Sequence, residues 1–284
     1  MNINPRAIIL DMDGTMLNHE NQMSDNLHRY LKKLRKDGKL IFIATGRTKK
    51  ELEAATPDDL EVDGMLCANG MISYIDGKPL KQQALAADLV QELVEKASEA
   101  GIYYEIHPAE GDRVALSKDK VYFEQLMGME KPADVKEDEW RERKAALAGH
   151  ISWQKELPDA KVAKIYFFHP DKTKNAHWKE SLEELRKQTN FAAFSSSYNN
   201  VEVMEADVSK ATGIKHLLDK FDLTTEDIVM IGDSENDLPL LQLAAHAVAM
   251  KNAPDHVKEV ADEVTAFSYK EDGLYRFLQD KFGQ

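Results

Sequence analysis

The fold is decided by the stretch Ala7-Ile8-Ile9-Leu10-Asp11-Met12-Asp13-Gly14-Thr15. Its first four residues form a continuous apolar run, which is typical of a strand buried on both faces of a parallel sheet. Ligands of open α/β sheets bind beyond the carboxyl ends of the strands, where Asp11 is the first residue. Asp13 lies two positions on and shares the same face, so both carboxylates can approach one ligand. For these residues alone, an acidic turn that caps a strand remains an open alternative.

Strands and helices alternate on both sides of this stretch. Ser24 is a candidate N-cap of a helix that should end near Gly38, and the apolar run Leu40-Ile41-Phe42-Ile43 predicts the next strand. Such a unit joins parallel strands by a right-handed crossover. The same alternation returns near the C terminus, where the predicted elements are a helix over 209–222, a strand over 228–231, a helix over 238–245 and a strand over 247–250.

The middle of the chain has a different pattern. The predicted elements there are helices over 86–100 and 172–188, a strand over 162–168, and a solvated, charged helix over 136–144 that is anchored by Trp140. We therefore predict a discontinuous core domain over residues 1–83 and 191–284, with an inserted domain over 84–190. The core is expected to be an α/β fold with a doubly wound, Rossmann-like parallel sheet, and the insert to be α+β with helices on one face of a small sheet.

Composition narrows the possible partners. The 284 residues include 37 Lys plus Arg against 50 Asp plus Glu, a formal net charge of -13. Because this charge repels phosphate backbones and anionic lipids, we expect no nucleic-acid or membrane partner. Cys67, the single cysteine, lies in an apolar run and should be buried and inert. Without a leader or a run that could span a bilayer, a cytoplasmic location is expected.

Three further clusters follow apolar runs in the sequence. Thr45-Gly46-Arg47 offers a hydroxyl and backbone N–H groups near a helix start, and Asn69-Gly70 resembles an ordinary turn. The stretch Gly232-Asp233-Ser234-Glu235-Asn236-Asp237 brings more carboxylates to the same sheet edge, which would suit Mg²⁺. Lys210 begins the helix before that strand and could reach the site. A capped turn, an acidic solvated turn and a surface lysine remain the alternatives for these pieces alone.

Taken together, these motifs resemble the haloacid dehalogenase (HAD) superfamily, specifically its Cof-type, class IIB phosphatases. The later stretch Ala249-Met250-Lys251-Asn252-Ala253 and the pair Asp272-Gly273 resemble the C-terminal region of that subfamily. The resemblance covers both core segments in order, whereas the insert agrees in position and size rather than in any motif. The sequence departs from the family pattern at Asp207 and Ala211, the positions before and after Lys210 where family members usually have glycine.

The resemblance implies a mechanism and a ligand set. It makes Asp11 the nucleophile that becomes an aspartyl phosphate and Asp13 the general acid and base. It also makes Mg²⁺ the cofactor, bound by the Asp11 side chain, the Asp13 backbone carbonyl and Asp233, with Asn236 or Asp237 in support. The implied phosphate-binding residues are Thr45, Gly46, Lys210 and Asn236.

The substrate is expected to be a small phosphorylated metabolite, such as a sugar phosphate, a nucleotide or a cofactor phosphate. By resemblance, the insert is a cap that chooses the leaving group. The candidate substrate contacts are Arg47, Tyr104, Arg113, Tyr122 and Asn252. A monomer or weak homodimer is expected.

Other functions remain as alternatives. A phosphomutase or phosphotransferase would use the same aspartyl phosphate, and a non-catalytic phosphometabolite-binding protein would keep the fold. Asp13 favours phosphoryl chemistry over dehalogenation, because loss of a halide needs no acid. The sequence has no His-Glu-x-x-His, Gly-x-Ser-x-Gly or Walker-type motif, so zinc protease, serine hydrolase and NTPase functions lack support.

Overall fold

The structure of the chain is a computed structural model that describes residues 4–195 and 197–283. Its strands are β1 (Ala7–Leu10), β2 (Leu40–Ala44), β3 (Gly64–Cys67), β4 (Ile72–Ile75), β5 (Lys78–Gln82), β6 (Tyr103–Pro108), β7 (Arg113–Leu116), β8 (Ile151–Gln154), β9 (Val162–Phe168), β10 (Phe191–Phe194), β11 (Asn200–Glu205), β12 (Ile228–Gly232), β13 (His246–Ala249) and β14 (Glu263–Val264). Its α-helices are α1 (Asp25–Lys36), α2 (Lys49–Ala55), α3 (Ala87–Ala100), α4 (Lys120–Gly128), α5 (Glu137–Ala145), α6 (Lys172–Arg186), α7 (Lys210–Lys220), α8 (Leu238–Leu241), α9 (Asp255–Lys258) and α10 (Gly273–Phe282).

The chain forms two compact units, and the first comprises Met1–Gln82 and Val208–Gln284. Its eight-stranded sheet has the order β14-β13-β12-β1-β2-β3-β4-β5. Strands β14 to β3 are parallel, and β4 and β5 complete the sheet as antiparallel strands. Ile8 and Ile9 point to opposite faces of central strand β1, and neither has exposed surface, so both faces are covered. The predicted α/β fold is confirmed.

The second unit spans Gln83–Asp207 and contains a six-stranded sheet in the order β10-β11-β9-β6-β7-β8. Its neighbouring strands are antiparallel except for β7 and β8. The boundary predicted after residue 190 is therefore wrong, because β10 pairs with β11 and β11 pairs with β9 inside this sheet. Phe191 and Val203 belong to the apolar core of the unit. The boundary predicted after residue 83 lies one residue from the observed one.

Local signals account for several element ends. Ser24 accepts a hydrogen bond from the Leu27 amide and caps α1 as predicted. The helix predicted over 238–245 is shorter in the structure, where α8 ends at Leu241 and the amide of Ala245 donates to the carbonyl of Thr225. Over residues 4–195 and 197–283, no helix combines the length and the apolar character needed to cross a membrane.

Candidate active site

The candidate site lies in the first unit, at the carboxyl ends of its central parallel strands. Strands β12, β1 and β2 are neighbours in the sheet, so the residues that follow them meet at one edge. Asp11 follows β1 directly, and its amide donates to the carbonyl of Ile231 at 3.0 Å, which continues the ladder by one residue. The Asp11 side chain is thereby held in a fixed place, and only 3% of the residue is exposed.

Lys210 links two of the carboxylates at this edge. It is the first residue of α7, which Ser209 caps by accepting a hydrogen bond from the amide of Thr212. Its ammonium donates to Asp11 at 2.6 Å and to Asp237 at 2.7 Å, and Lys210 has no exposed surface. Burial opposes the charge of this ammonium, but the two carboxylates outweigh that cost and raise its pKa. Lys210 is therefore a fixed cation beside Asp11.

The carboxylates of Asp11, Asp233 and Asp237 carry more negative charge than one lysine balances. Their oxygen atoms lie within 4.8 Å of one another. Burial, followed by the charge of Asp237, raises the pKa of Asp11 well above its usual value and that of Asp233 to about 7. A further cation would relieve this repulsion, and a set of carboxylate oxygens suits a hard divalent ion. The residues present fit such a metal.

Asp237 supports the other two carboxylates rather than standing alone. One of its oxygens accepts from Lys210, and the other accepts from the amides of Asp233 and Ser234 at 3.0 and 3.1 Å. These contacts fix the turn after β12 and leave the carboxylates of Asp11 and Asp233 as the better placed metal ligands.

Asn252 orients Asp233, a role that the sequence did not indicate. Its amide nitrogen donates to Asp233 and to the carbonyl of Gly14, both at 3.0 Å, and its oxygen accepts from the amide of Tyr269 at 3.2 Å. Both N–H groups of the side-chain amide are used in this way. These bonds give Asn252 a supporting role beside Asp233, and its substrate contact stays a prediction. Thr15 was also missed, and its hydroxyl makes a longer contact of 3.4 Å with Asp233.

Gly14 is required by this close packing, and we expect Gly14→Ala to disturb the metal site. Gly14 has φ +80, and a Cβ there would lie 2.2 Å from a carboxylate oxygen of Asp233. The left-handed backbone costs alanine roughly 1–2 kcal/mol, and Asp233 must also move. Calorimetric titration should show weaker binding of a divalent cation. Gly38→Ala is the matched control, since Gly38 has φ +87 and nothing within 4 Å of an added Cβ. Equal cation affinity in the two variants would contradict this account.

Asp13 stands apart from the buried carboxylates. Its side chain is 55% exposed and forms an ion pair with Arg47. Two nitrogens of the guanidinium donate to the two oxygens of this carboxylate, one of them at 2.9 Å. Arg47, which was predicted to contact substrate, thus contacts the predicted acid and base in this structure. The pair places a cation and an exposed carboxylate together at the rim of the site.

The residues after β2 and β3 contact each other. Thr45 is buried, and its hydroxyl accepts from the amide of Arg47 at 3.1 Å. A Cβ on Gly46 would lie 3.1 Å from the side-chain oxygen of Asn69, so these two residues pack closely. The same oxygen accepts from the side-chain nitrogen of Asn236 at 2.9 Å. Asn69 was interpreted as part of a turn, and only the three-dimensional arrangement brings it to the site.

The departures from the family pattern near Lys210 have little effect on the backbone. Asp207 has φ +59, the left-handed conformation that glycine adopts without cost. The chain therefore makes the turn into α7 with aspartate in place of glycine. Lys210 reaches Asp11 despite the change. Lys251 is exposed, and its amide donates to the hydroxyl of Thr265 at 2.9 Å.

The predicted substrate contacts in the second unit are engaged in internal structure. Tyr104 has no exposed surface, and its hydroxyl donates to Asp119 at 2.6 Å. Tyr122 donates to the carbonyl of Gly101 at 2.7 Å. Arg113 donates to buried Glu105 at 2.9 Å. The prediction for Tyr104 is wrong because its side chain is buried in the core of the unit, while the hydroxyl of Tyr122 and the guanidinium of Arg113 support the local fold.

Comparison with known proteins agrees with the fold. The family model for haloacid dehalogenase-like hydrolases matches residues 8–278. A 5-amino-6-(5-phospho-D-ribitylamino)uracil phosphatase of Bacillus subtilis is 28% identical over 295 aligned positions, covering 96% of each chain. A second phosphatase with that name from B. subtilis is 26% identical over 300 positions, covering 99% of each.

A solved structure supports the fold. A haloacid dehalogenase-like hydrolase from B. subtilis superposes with a TM-score of 0.76 at 20% identity, covering 96% of this chain and 99% of that one. At this identity the likeness shows the fold alone. The family is assigned by the family model, which matches residues 8–278. The chain belongs to the haloacid dehalogenase-like hydrolases, and within that family it is a phosphatase that acts as a phosphoric monoester hydrolase.

Proposed function

We propose that this chain is a Mg²⁺-dependent phosphatase that hydrolyses small phosphorylated metabolites through a phosphorylated Asp11. The observation that carries the proposal is the buried Asp11 carboxylate, held 2.6 Å from the Lys210 ammonium and within 4.8 Å of two more carboxylates. A nucleophile fixed beside a cation suits attack on a phosphoryl group, whose charge must be balanced as it transfers.

In the first step, an oxygen of Asp11 forms a bond to phosphorus while the bond from phosphorus to the leaving oxygen breaks. The leaving oxygen takes a proton from the carboxyl group of Asp13. Both oxygens of Asp13 contact Arg47 in the structure, so at least one of these contacts must open for the transfer. Lys210 and the hydroxyl of Thr45 stabilise the charge on the phosphoryl oxygens.

The metal would be held by the side chains of Asp11 and Asp233 and by the backbone carbonyl of Asp13, with Asp237 and Asn236 in support. When bound, Mg²⁺ lowers the repulsion between the anionic nucleophile and the anionic substrate and stabilises charge on the phosphoryl oxygens. Asn252 and Gly14 keep Asp233 in the orientation that this binding requires.

In the second step, water attacks phosphorus and breaks its bond to Asp11. The carboxylate of Asp13 accepts the proton from this water, which returns Asp13 to its acid form and releases inorganic phosphate. One residue thus acts as acid and then as base. We assign no chemical step to the second unit and propose that it selects among leaving groups.

The metal requirement tests this proposal. We expect EDTA to stop phosphate release from a generic aryl phosphate, Mg²⁺ to restore it, and Ca²⁺ to fail. Calcium accepts more oxygen ligands at longer distances, so it should disturb the alignment of Asp11 with phosphorus. Rates with Ca²⁺ equal to those with Mg²⁺ would contradict the proposed metal geometry. An absence of turnover with every divalent cation would overturn the phosphatase itself.

Asp13→Asn should separate the acid role from simple binding. We expect a loss of about 10²- to 10⁴-fold for alkyl phosphates, because an amide cannot protonate a poor leaving group. Aryl phosphates with acidic leaving groups should lose less in the first step, since they need little protonation. The measurement is kcat/KM across leaving groups of graded pKa. Asp25→Asn is a control at an exposed carboxylate of α1. A loss that is uniform across the series would remove Asp13 from this role.

The substrate class rests on the two relatives of B. subtilis, whose names specify a phosphate on a ribityl chain. We extend to this chain the broader class of sugar, nucleotide and cofactor phosphates. A panel of such monoesters, with the 5-phosphoribitylamino compound included, should show one or a few substrates with much higher kcat/KM than the aryl phosphate. Equal kcat/KM across the panel would contradict selection by the second unit.

A further inference from the structure

We propose that Asn69 is a positioning residue, whose side chain holds the turn after β12 in register with the phosphoryl-binding residues after β2. This inference rests on the proposed phosphatase function and adds a residue to its machinery. Asn69 is 8% exposed, and its side chain packs against Gly46 in the loop after β2. Its effect would pass through Asn236, Gly46 and Thr45.

The turn Ala68-Asn69-Gly70 is fastened to the loop after β2 by the backbone. The amide of Ala68 donates to the carbonyl of Arg47 at 2.8 Å, and the amide of Asn69 donates to the carbonyl of Thr45 at 2.9 Å. These two bonds bracket Gly46, so the turn and the loop move as one body. The position of the Thr45 hydroxyl thus depends on the turn.

The same turn packs against the start of α7. A Cβ on Gly70 would lie 2.2 Å from the carbonyl oxygen of Ser209, and a Cβ on Gly213 would lie 2.7 Å from Cα of Gly70. Ser209 caps α7 and directly precedes Lys210. The turn therefore also affects the position of the Lys210 backbone, from which the side chain extends to Asp11.

The side chain of Asn69 completes these connections. Its oxygen accepts from the side-chain nitrogen of Asn236, which is 167 residues away in sequence. The oxygen of Asn236 in turn accepts from the hydroxyl of Ser234 at 2.7 Å. Strands β12 and β3 are separated in the sheet by β1 and β2. The hydrogen bond between the side chains of Asn236 and Asn69 therefore joins two loops whose strands are not neighbours.

The backbone of the turn adopts positive φ angles, which are costly for residues other than glycine and are not required merely to connect two strands. Ala68, Asn69 and Gly70 have φ of +48, +53 and +108 in succession. Such conformations persist where the surrounding structure determines them, often at functional sites. Asparagine tolerates the left-handed region and glycine tolerates it better. The backbone alone would therefore favour glycine at position 69, and the bond to Asn236 accounts for an amide there.

Asn69→Gly is the most direct variant, because it keeps the backbone conformation and removes the side chain. With an aryl phosphate and Mg²⁺, we expect kcat to fall at least tenfold, while KM stays within about threefold and the unfolding temperature does not fall, since small misplacement of catalytic groups is costly. Asp222→Gly is the matched control, at an exposed residue with φ +50 between α7 and β12. It should retain full kcat.

A double-mutant cycle with Asn236→Ala tests the route. If Asn69 acts through Asn236, the double variant should lose no more than about the larger single loss. Losses that multiply would overturn the proposed route, and so would an Asn69→Gly variant whose KM rises at constant kcat. Full activity in Asn69→Gly would overturn this inference alone. A wild-type chain without phosphate release would overturn the proposed function and this inference with it.

Discussion

Asp11→Asn is expected to abolish phosphate release while the chain remains folded. An amide is a poor nucleophile and a poor ligand for a hard cation, so the loss should be at least about 10⁴-fold. Lys210 keeps its 2.7 Å contact with Asp237 in this variant. Removal of the charge also relieves the burial cost, and the repulsion from Asp237, that raise the pKa of Asp11. The unfolding temperature of the metal-free variant should therefore equal or exceed that of the wild type at neutral pH.

Phosphate release and thermal unfolding, measured on the same preparation, check this expectation. Asp58→Asn is a control at an exposed carboxylate and should change neither quantity. Substantial activity in a folded Asp11→Asn variant would mean that another group attacks the phosphoryl group. A variant that fails to fold would contradict the view that Asp11 is held at a cost to stability.

Lys210→Met should damage both stability and turnover. The substitution removes the ammonium that contacts Asp11 and Asp237 and leaves two buried carboxylates without it. Breaking a buried ion pair in this way typically costs about 3–5 kcal/mol. Loss of a cation that stabilises transferring charge should lower kcat by about 10²- to 10³-fold in the molecules that remain folded.

Lys215→Met removes an exposed cation from the same helix and should leave both quantities nearly unchanged. Urea unfolding gives the change in free energy, and activity corrected for the folded fraction gives the change in kcat. Mg²⁺ should recover part of the stability, because it binds the folded state. Wild-type stability of metal-free Lys210→Met would contradict the role of the lysine as the cation of this cluster.

The central strand and its nucleophile could be predicted from local sequence. Four consecutive apolar residues followed by Asp11 indicate a buried parallel strand and a residue at its carboxyl end, whatever the rest of the chain does. The position of Lys210 alone left a surface lysine as an alternative, and the family resemblance favoured the site despite Asp207. In the structure Lys210 reaches Asp11, and Asp207 adopts φ +59.

The parts that could not be predicted depend on contacts between distant residues. Asn252 donates to Gly14 across 238 positions, and Asn69 accepts from Asn236 across 167, so no local periodicity marks either pair. The end of the inserted unit was missed for the same reason. Strands β10 and β11 have ordinary local patterns, and only the pairing of β10 with β11 and of β11 with β9 assigns them to that unit.

The covalent step is the central claim, and trapping the phosphorylated enzyme tests it most directly. Asp13→Asn should slow attack by water more than the loss of an acidic aryl leaving group. This variant, mixed with such an aryl phosphate and Mg²⁺ and quenched in acid, should release a burst of about one aryl group per enzyme. Mass spectrometry should then locate one phosphoryl group on Asp11. Aryl release without a burst, together with an unmodified Asp11 at every quench time, would contradict a mechanism through an aspartyl phosphate.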